Sequence, residues 1–287
     1  MAGIREIRGR IKSVKSTQQI TKTMKMVAAA KLRRAQSGGD GMRLFADRAR
    51  DMVTCLSGYG ADEPLLTPRQ EVRTVCYVLF VGNRGLCGTY NHALVRFFKD
   101  LLSKEEHAAS AVVVGRWGRD VIEDEGIPVK ARYADFGDVP RWEDAARLAD
   151  DLKKLYLNGE ADEISFVYQQ YRSALQQTPV CVPFLPVRAE GEAAEPGAYL
   201  FEPSPEAVLH SAVELYVSAA VSATLREARM GEQAARMTAM TAATDATDEL
   251  IDRLSLELNR ARQAAITTEI SEIVGGTNAL KAGDVGD

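Results

Sequence analysis

Proline is missing from both ends of this chain, since all ten prolines lie between Pro64 and Pro205. A proline deletes one helix hydrogen bond and clashes with the preceding turn, so its absence leaves each terminal segment free to form uninterrupted helix. The C-terminal segment runs from Glu206 to about Leu280, with Gly231 as its one glycine before Gly275-Gly276. At helical rise it would reach roughly 110 Å and must rest on something, the other arm being the natural candidate. Cysteine is scarce and scattered: Cys55, Cys76, Cys87 and Cys181 form no C-x-x-C pair and have no histidine cluster beside them. That argues against a metal site and against a disulfide framework. The three histidines, His92, His107 and His210, are too dispersed to suggest a catalytic triad or zinc ligation. Long apolar runs are lacking too. The longest, Val75 to Val81, falls far short of the roughly 20 residues a membrane-spanning helix needs. The N-terminus is charged from Arg5 onward and has no apolar signal-peptide core, so a reducing aqueous compartment is expected. Any membrane association then comes through a partner.

What is present is a soluble, globular composition of 287 residues, 46% apolar and 26% charged, with net charge -4. The charge is unevenly placed. From Met1 to Gln36 ten basic residues face a single acid, Glu6, whereas from Glu206 to Leu280 eleven acids face six arginines. Opposite charge on opposite ends favours antiparallel pairing of the two arms. The basic arm could also attract nucleic acid, but it holds no aromatic residue for base stacking and the acidic arm competes for it. A protein partner bearing carboxylates accounts for the charge better.

Hydrophobic spacing supports the pairing. Ile4, Ile7, Ile11 and Val14 follow the alternating 3,4 step of a coiled-coil seam. Polar Thr17, Gln18, Gln19 and Thr21 interrupt it, and apolar character resumes at Ile20, Met24, Val27, Ala28 and Leu32. Met24 and Met26 have an ordinary explanation as helix-face packing. Ser37-Gly38-Gly39-Asp40-Gly41 is expected to loosen or kink the rod, after which a helical pattern resumes through Met42, Phe45, Ala49, Met52 and Val53. In the other arm Met237, Met240, Thr244, Thr247, Ile251, Leu254, Leu258, Ala261 and Ala265 keep the 3,4 step throughout, a thin seam suited to close helix approach. Beyond Ala265 the apolar positions shift to Ile266, Ile270, Ile273 and Val274, so the tip faces something other than the first arm. Ser204-Pro205 supplies the start signal.

Between the arms the texture changes. Val72–Val81, Ala111–Val114, Glu163–Tyr171 and Val180–Val187 resemble strands, and His92–Glu106, Trp117–Asp124 and Trp142–Leu157 resemble helices. Their alternation implies an α/β sheet with parallel crossovers, a Rossmann-like domain. The expected organisation is thus α plus α/β: an N-terminal coiled-coil helix over 1–60, an α/β domain over 70–187, an exposed loop over 188–205, a C-terminal coiled-coil helix over 206–280 and a flexible tail over 281–287. The turn Gly82-Asn83-Arg84-Gly85-Leu86-Cys87-Gly88 lies where a phosphate loop would sit. Its spacing is G-x-x-G-x-x-G, and no Gly-Lys-Ser/Thr follows, so a tight exposed turn with Arg84 available to a partner is the better reading.

The two ends carry a resemblance. Ile4-Arg5-Glu6-Ile7-Arg8-Gly9-Arg10-Ile11 leads into Thr17-Gln18-Gln19-Ile20-Thr21-Lys22 and Met24-Lys25-Met26-Val27-Ala28-Ala29-Ala30-Lys31-Leu32. At the other end stands Arg262-Gln263-Ala264-Ala265-Ile266-Thr267-Thr268-Glu269-Ile270-Ser271-Glu272-Ile273-Val274-Gly275-Gly276. With Arg84-Gly85-Leu86-Cys87-Gly88 these motifs closely resemble the gamma subunits of F-type ATP synthases, over essentially the whole chain. Gly82 and Thr89-Tyr90 depart from the residues common in that family, and a cysteine-bearing regulatory insertion is absent. The resemblance implies a non-catalytic rotor shaft with no cofactor and no metal, standing inside an alpha/beta hexamer. Its other partners would be the epsilon subunit and the membrane c-ring, with no nucleic acid and no membrane span of its own. It also implies a peripheral position on the cytoplasmic face of a bacterial inner membrane. Lys22, Met24, Lys25, Arg84, Arg236, Gln263, Thr267, Glu269 and Glu272 match positions that meet the alpha and beta subunits. For the two glutamates, plain solvated carboxylates are the alternative.

Overall fold

A computed structural model describes residues 3–59, 63–117, 122, 126–189 and 200–283. Residues 190–199 of the expected 188–205 loop and most of the expected Trp117–Asp124 helix lie outside those residues, as does the last part of the tail. The elements are α1 (Ile4–Leu56), a short 3-10 turn (Ser57–Tyr59), β1 (Thr74–Phe80), α2 (Tyr90–Leu102), β2 (Ala108–Val114), β3 (Val129–Tyr133), α3 (Trp142–Leu157), β4 (Glu163–Tyr171), β5 (Gln177–Leu185) and α4 (Pro205–Gly283). Two packed units result, one from Met1–Lys25 with Met240–Asp287 and one from Met26–Ala239.

The first unit is an antiparallel helix pair. On α1 the residues shielded from solvent are Ile4, Ile7, Ile11, Val14, Gln18, Thr21 and Lys25, an unbroken 3,4 repeat, with Met24 half-buried beside its last member. The seam therefore does not lapse at the polar stretch as expected; Gln18 and Thr21 occupy it, and Ile20 turns outward at 57% exposure. The amide of Gln18 donates to the carboxylate of Asp248, and the hydroxyls of Thr21 and Thr244 lie 2.9 Å apart. Pairing 18 with 248 and 21 with 244 fixes the antiparallel direction and register, since polar groups in a seam must find each other. On α4 the expected positions from Met240 to Ala261 are buried or half-buried, with Leu254 only 2% exposed. Ala265 is exposed, so the shared seam ends four residues earlier than the spacing suggests.

The second unit is the α/β domain. Its sheet has the order β3-β2-β1-β4-β5, parallel from β3 to β4 with β5 antiparallel against β4. β3 is a strand the sequence reading lacked, and β1 and β2 begin at Thr74 and Ala108 rather than at Val72 and Ala111. Period-2 alternation sorts the sheet's two faces. Val75, Tyr77, Leu79 and Val81 pack with Leu94 and Phe98 of α2. Cys76, Val78 and Phe80 pack with Leu148 and Leu152 of α3, with Val53 of α1 and with Leu209, Val213, Val217, Val221 and Leu225 of α4. This second face explains why α4 contains a window of mean hydropathy 1.4, long and apolar enough to cross a membrane. Half of that window is buried inside the chain, and each such leucine or valine contributes about 1.5–3 kcal/mol by leaving water.

Ser37–Gly41 does not break the rod, for α1 runs through it as helix. A β-carbon on Gly39 would lie 3.0 Å from the Met230 thioether, and one on Gly38 3.0 Å from the Arg226 guanidinium. The glycines serve close approach of α1 to α4, where Leu32, Ala35, Met230 and Ala234 form a small apolar cluster. The 3,4 repeat on this part of α1 continues through Ala28, Leu32, Ala35, Gly39, Met42, Ala46, Ala49, Val53 and Leu56, all shielded.

Candidate functional site

The strand order places a topological switch beside β1, because the chain leaves it toward β2 on one side and returns as β4 on the other. A doubly wound sheet takes its ligand in the crevice beyond the carboxyl ends of such strands. Here that crevice receives the Gly82–Gly88 turn from β1 and is filled from above by α4. The carbonyl oxygen of the Asn91 side chain accepts from the Gly82 amide at 2.8 Å. Tyr90 donates its hydroxyl to the Ala228 carbonyl at 2.8 Å, and Gln169 of β4 donates to the Tyr90 carbonyl at 3.0 Å. A β-carbon on Gly82 would stand 3.2 Å from the Glu232 carboxyl carbon, and one on Gly231 3.1 Å from the Tyr90 ring. A carboxylate and a tyrosine ring thus fill the space where a phosphate loop would hold its anion.

Glu232 is 2% exposed and its neighbours compensate its charge. One oxygen accepts from Arg229 at 2.8 Å and the other from Arg236 at 2.7 Å. Arg236, 7% exposed, also donates to the Arg84 carbonyl at 3.0 Å and to the Gly85 carbonyl at 3.3 Å. Its guanidinium is therefore engaged within the chain. At i, i+3 and i+7 on one helix, Arg229, Glu232 and Arg236 stack on one face. Burial pushes the Cys87 thiol above its ordinary value, while Arg236 pulls the other way. The thiol stays protonated at neutral pH, which gives it no nucleophilic character.

The grip on the two carbonyls has a visible result. Arg84, Gly85 and Leu86 are exposed, and Leu86 holds φ +60 while being 62% exposed. A side chain in the left-handed region costs about 1–2 kcal/mol. Gly88, at φ +58, takes the next such position without a β-carbon. Glu232 and Leu86 were not singled out from sequence. The signal available for Glu232 was an acid three and four residues from two arginines on an otherwise apolar face.

In the first unit the expected contact residues fall into two groups. Lys22 is exposed, with Met24 and Lys25 half-buried. Every described side chain from Arg262 to Gly275 is exposed, including Gln263, Thr267, Glu269 and Glu272. At helical spacing Gln263, Ile266, Thr267, Ile270, Ile273 and Val274 share a face about 120° wide, with Glu269 and Glu272 to one side of it. Ile266 is 45%, Ile270 56%, Ile273 69% and Val274 52% exposed.

A family model described as ATP synthase matches residues 3–280. The ATP synthase gamma chain of Desulforamulus reducens is 46% identical over 286 residues, covering 98% of this chain and 100% of that one. The chain belongs to the ATP synthase gamma-chain family. The gamma chain of Moorella thermoacetica is 42% identical over 282 residues, with 98% and 100% covered. Among solved structures, a chain of the Euglena gracilis mitochondrial ATP synthase, in an assembly containing F1 and the c-ring, aligns with a TM-score of 0.70 at 21% identity. That alignment covers 99% of this chain and 96% of the other. A central-stalk and c-ring structure of the Tetrahymena thermophila enzyme gives 0.59 at 24% identity, covering 78% and 99%. These likenesses establish the α plus α/β fold of a gamma chain.

Proposed function

We propose that this gamma chain is the central shaft of an F-type ATP synthase, carrying torque between an ion-driven c-ring and a catalytic alpha/beta hexamer. It couples ion transport to ATP synthesis or hydrolysis and leaves the nucleotide chemistry to the beta subunits. The observation that carries this reading is the stripe of exposed isoleucines on a helix that has outrun its partner. An apolar face of that kind in water calls for a sleeve around it. A shaft also needs stiffness, and two helices locked in register by the Gln18–Asp248 and Thr21–Thr244 pairs resist bending better than one. The switch-point crevice, already filled by Glu232 and Tyr90, is consistent with a chain that binds no nucleotide itself.

The contacts are those that the gamma-chain family implies, and charge and exposure support them. Lys22, Met24 and Lys25 meet an acidic segment of a beta subunit, so the basic arm gains its electrostatic partner. Gln263, Thr267, Glu269 and Glu272 meet alpha and beta loops around the tip, and Arg84 meets the hexamer from the turn. The α/β domain rests against the epsilon subunit and the c-ring, which makes the chain peripheral to the cytoplasmic face of a bacterial membrane. The purified chain is expected to hydrolyse no ATP alone and to support strong hydrolysis when combined with alpha and beta subunits. Failure to join that hexamer would end this reading. Met24→Lys is expected to weaken coupling by adding charge beside the beta contact; unchanged ion pumping per ATP hydrolysed would contradict the assigned contact.

A further inference from the structure

The Gly82–Gly88 turn combines three features that ordinary turn chemistry does not require. An exposed leucine, Leu86, is held at φ +60, where asparagine or glycine would sit at lower energy. The two carbonyls just before it, of Arg84 and Gly85, are gripped by one buried guanidinium. That guanidinium is itself fixed by Glu232, which Arg229 holds from the opposite side. Strained residues persist only where their surroundings over-determine them, and they cluster at contact sites. We propose that Arg236 is a positioning residue: with Glu232 it locks this turn onto α4 so that Arg84 and Leu86 project together as one contact. The pair offers a cation beside an apolar side chain, which suits a carboxylate bordered by apolar atoms on the alpha/beta hexamer. This rests on the central-shaft reading for its partner, but the lock itself is a property of the chain.

The interlock accounts for the burial of an acid and two arginines on one face of α4. A guanidinium presents five donors spread over a rigid planar fork, so it can hold two successive carbonyls and a carboxylate in fixed directions, whereas a lysine's three donors converge on one nitrogen at the end of a flexible stem. Arg236 acts through Arg84 and Leu86, so its loss and theirs should be the same loss.

Two experiments test this with the full-length chain. In the first, amide exchange is followed in the chain alone, comparing wild type with Arg236→Ala and Arg236→Lys. Both variants are expected to exchange faster at the amides that close the turn at either end, Gly82 bonded to Asn91 and Tyr90 bonded to the Cys87 carbonyl, while α4 keeps its protection. Unchanged exchange in the turn would overturn the lock, whatever happens in the complex. In the second, chains are combined with alpha and beta subunits and the ATP hydrolysis they support is measured. Arg84→Ala and Arg236→Ala should each lower it about tenfold or more, the size of one charge-assisted contact, and the double variant should be no worse than the poorer single one. Multiplying effects would show that Arg236 acts independently and would overturn the proposal. Leu86→Gly separates contact from packing. It removes the strain, so the melting temperature of the free chain should hold or rise, while supported hydrolysis falls. Full activity in Leu86→Gly would remove Leu86 from the contact. If the wild-type chain supports no hydrolysis at all, the shaft reading fails and the exchange result still judges the lock.

Discussion

Glu232 and Arg236 form one ion pair, yet removing them one at a time should not cost the same. In Glu232→Ala two guanidiniums lose their counter-charge together, Arg229 with a side chain 5% exposed and Arg236 with one 9% exposed. Arg236 keeps its two backbone carbonyls, whereas the Glu232 carboxylate is the hydrogen-bond partner the structure gives Arg229. An uncompensated buried charge costs about 3–5 kcal/mol. In Arg236→Ala the carboxylate keeps Arg229, and the released carbonyls belong to exposed residues that water can reach. The loss is then that of charged hydrogen bonds, about 1.5–3 kcal/mol. For a unit of this size 1 kcal/mol moves the melting temperature by roughly 2–4 °C, so Glu232→Ala should melt roughly 6–20 °C lower than wild type. Both tryptophans, Trp117 and Trp142, belong to the α/β unit, so their fluorescence during thermal or urea unfolding follows the relevant transition. Equal losses, or a larger loss from Arg236→Ala, would refute the idea that Glu232 compensates both arginines.

Three further outcomes are expected. Gly115, at φ +123, has Val81 backbone oxygen 2.3 Å from where a β-carbon would stand, so Gly115→Ala should cost more than about 3 kcal/mol through clash and strain combined; an unfolding midpoint within error of wild type would count against the described end of β2. Leu254→Ala, at a position 2% exposed, should cost about 2–4 kcal/mol, against under about 0.5 kcal/mol for Leu256→Ala at 53% exposure, a contrast readable in exchange protection of the helix pair. Asp162 is opposed by burial, but the amides of Arg73 and Thr74 and the Thr74 hydroxyl outweigh it and hold its carboxyl below the ordinary value. A depressed carboxylate adds stability above its unfolded value, about 3.9, and loses it as pH falls through the folded value. Asp162→Asn should therefore be less stable than wild type at pH 7, with the gap closing below about pH 4; a pH-independent gap would contradict this.

What could be read from the sequence depended on whether local pattern and tertiary contact agreed. The long helices, α3 and β4 were legible because their periodicity is strong and no proline interrupts it. Trp142–Leu157 and Glu163–Tyr171 fall at the residues expected. β3 was not legible. Val-Lys-Ala-Arg-Tyr is five residues with two cations on its outward face, and only pairing with β2 makes it a strand. Ser37–Gly41 misled for the opposite reason, since glycines that break an isolated helix are what Met230 and Arg226 require of a packed one. In the helix pair, Gln18 and Thr21 hid the seam because hydrophobicity alone cannot show that Asp248 and Thr244 face them. The tip was legible, since Ile266, Ile270 and Ile273 announce their stripe. The Arg236 interlock was not, because it joins residues about 150 positions apart and charge pattern on one helix cannot reveal carbonyls on another segment.

The sheet order leaves β3 and β5 as open margins, and each is guarded differently. β5 carries Pro179 and Pro183 opposite Gln169 and Ser165. Proline fits an edge strand only where its missing N–H would point away from the ladder, so that margin offers few donors to a stray strand. The other margin presents Lys130 and Arg132, whose charges would meet like charges if two copies came edge to edge. Both margins thereby disfavour polymerising through the chain's own sheet. Replacing Pro179 and Pro183 with valines would trade that protection for aggregation.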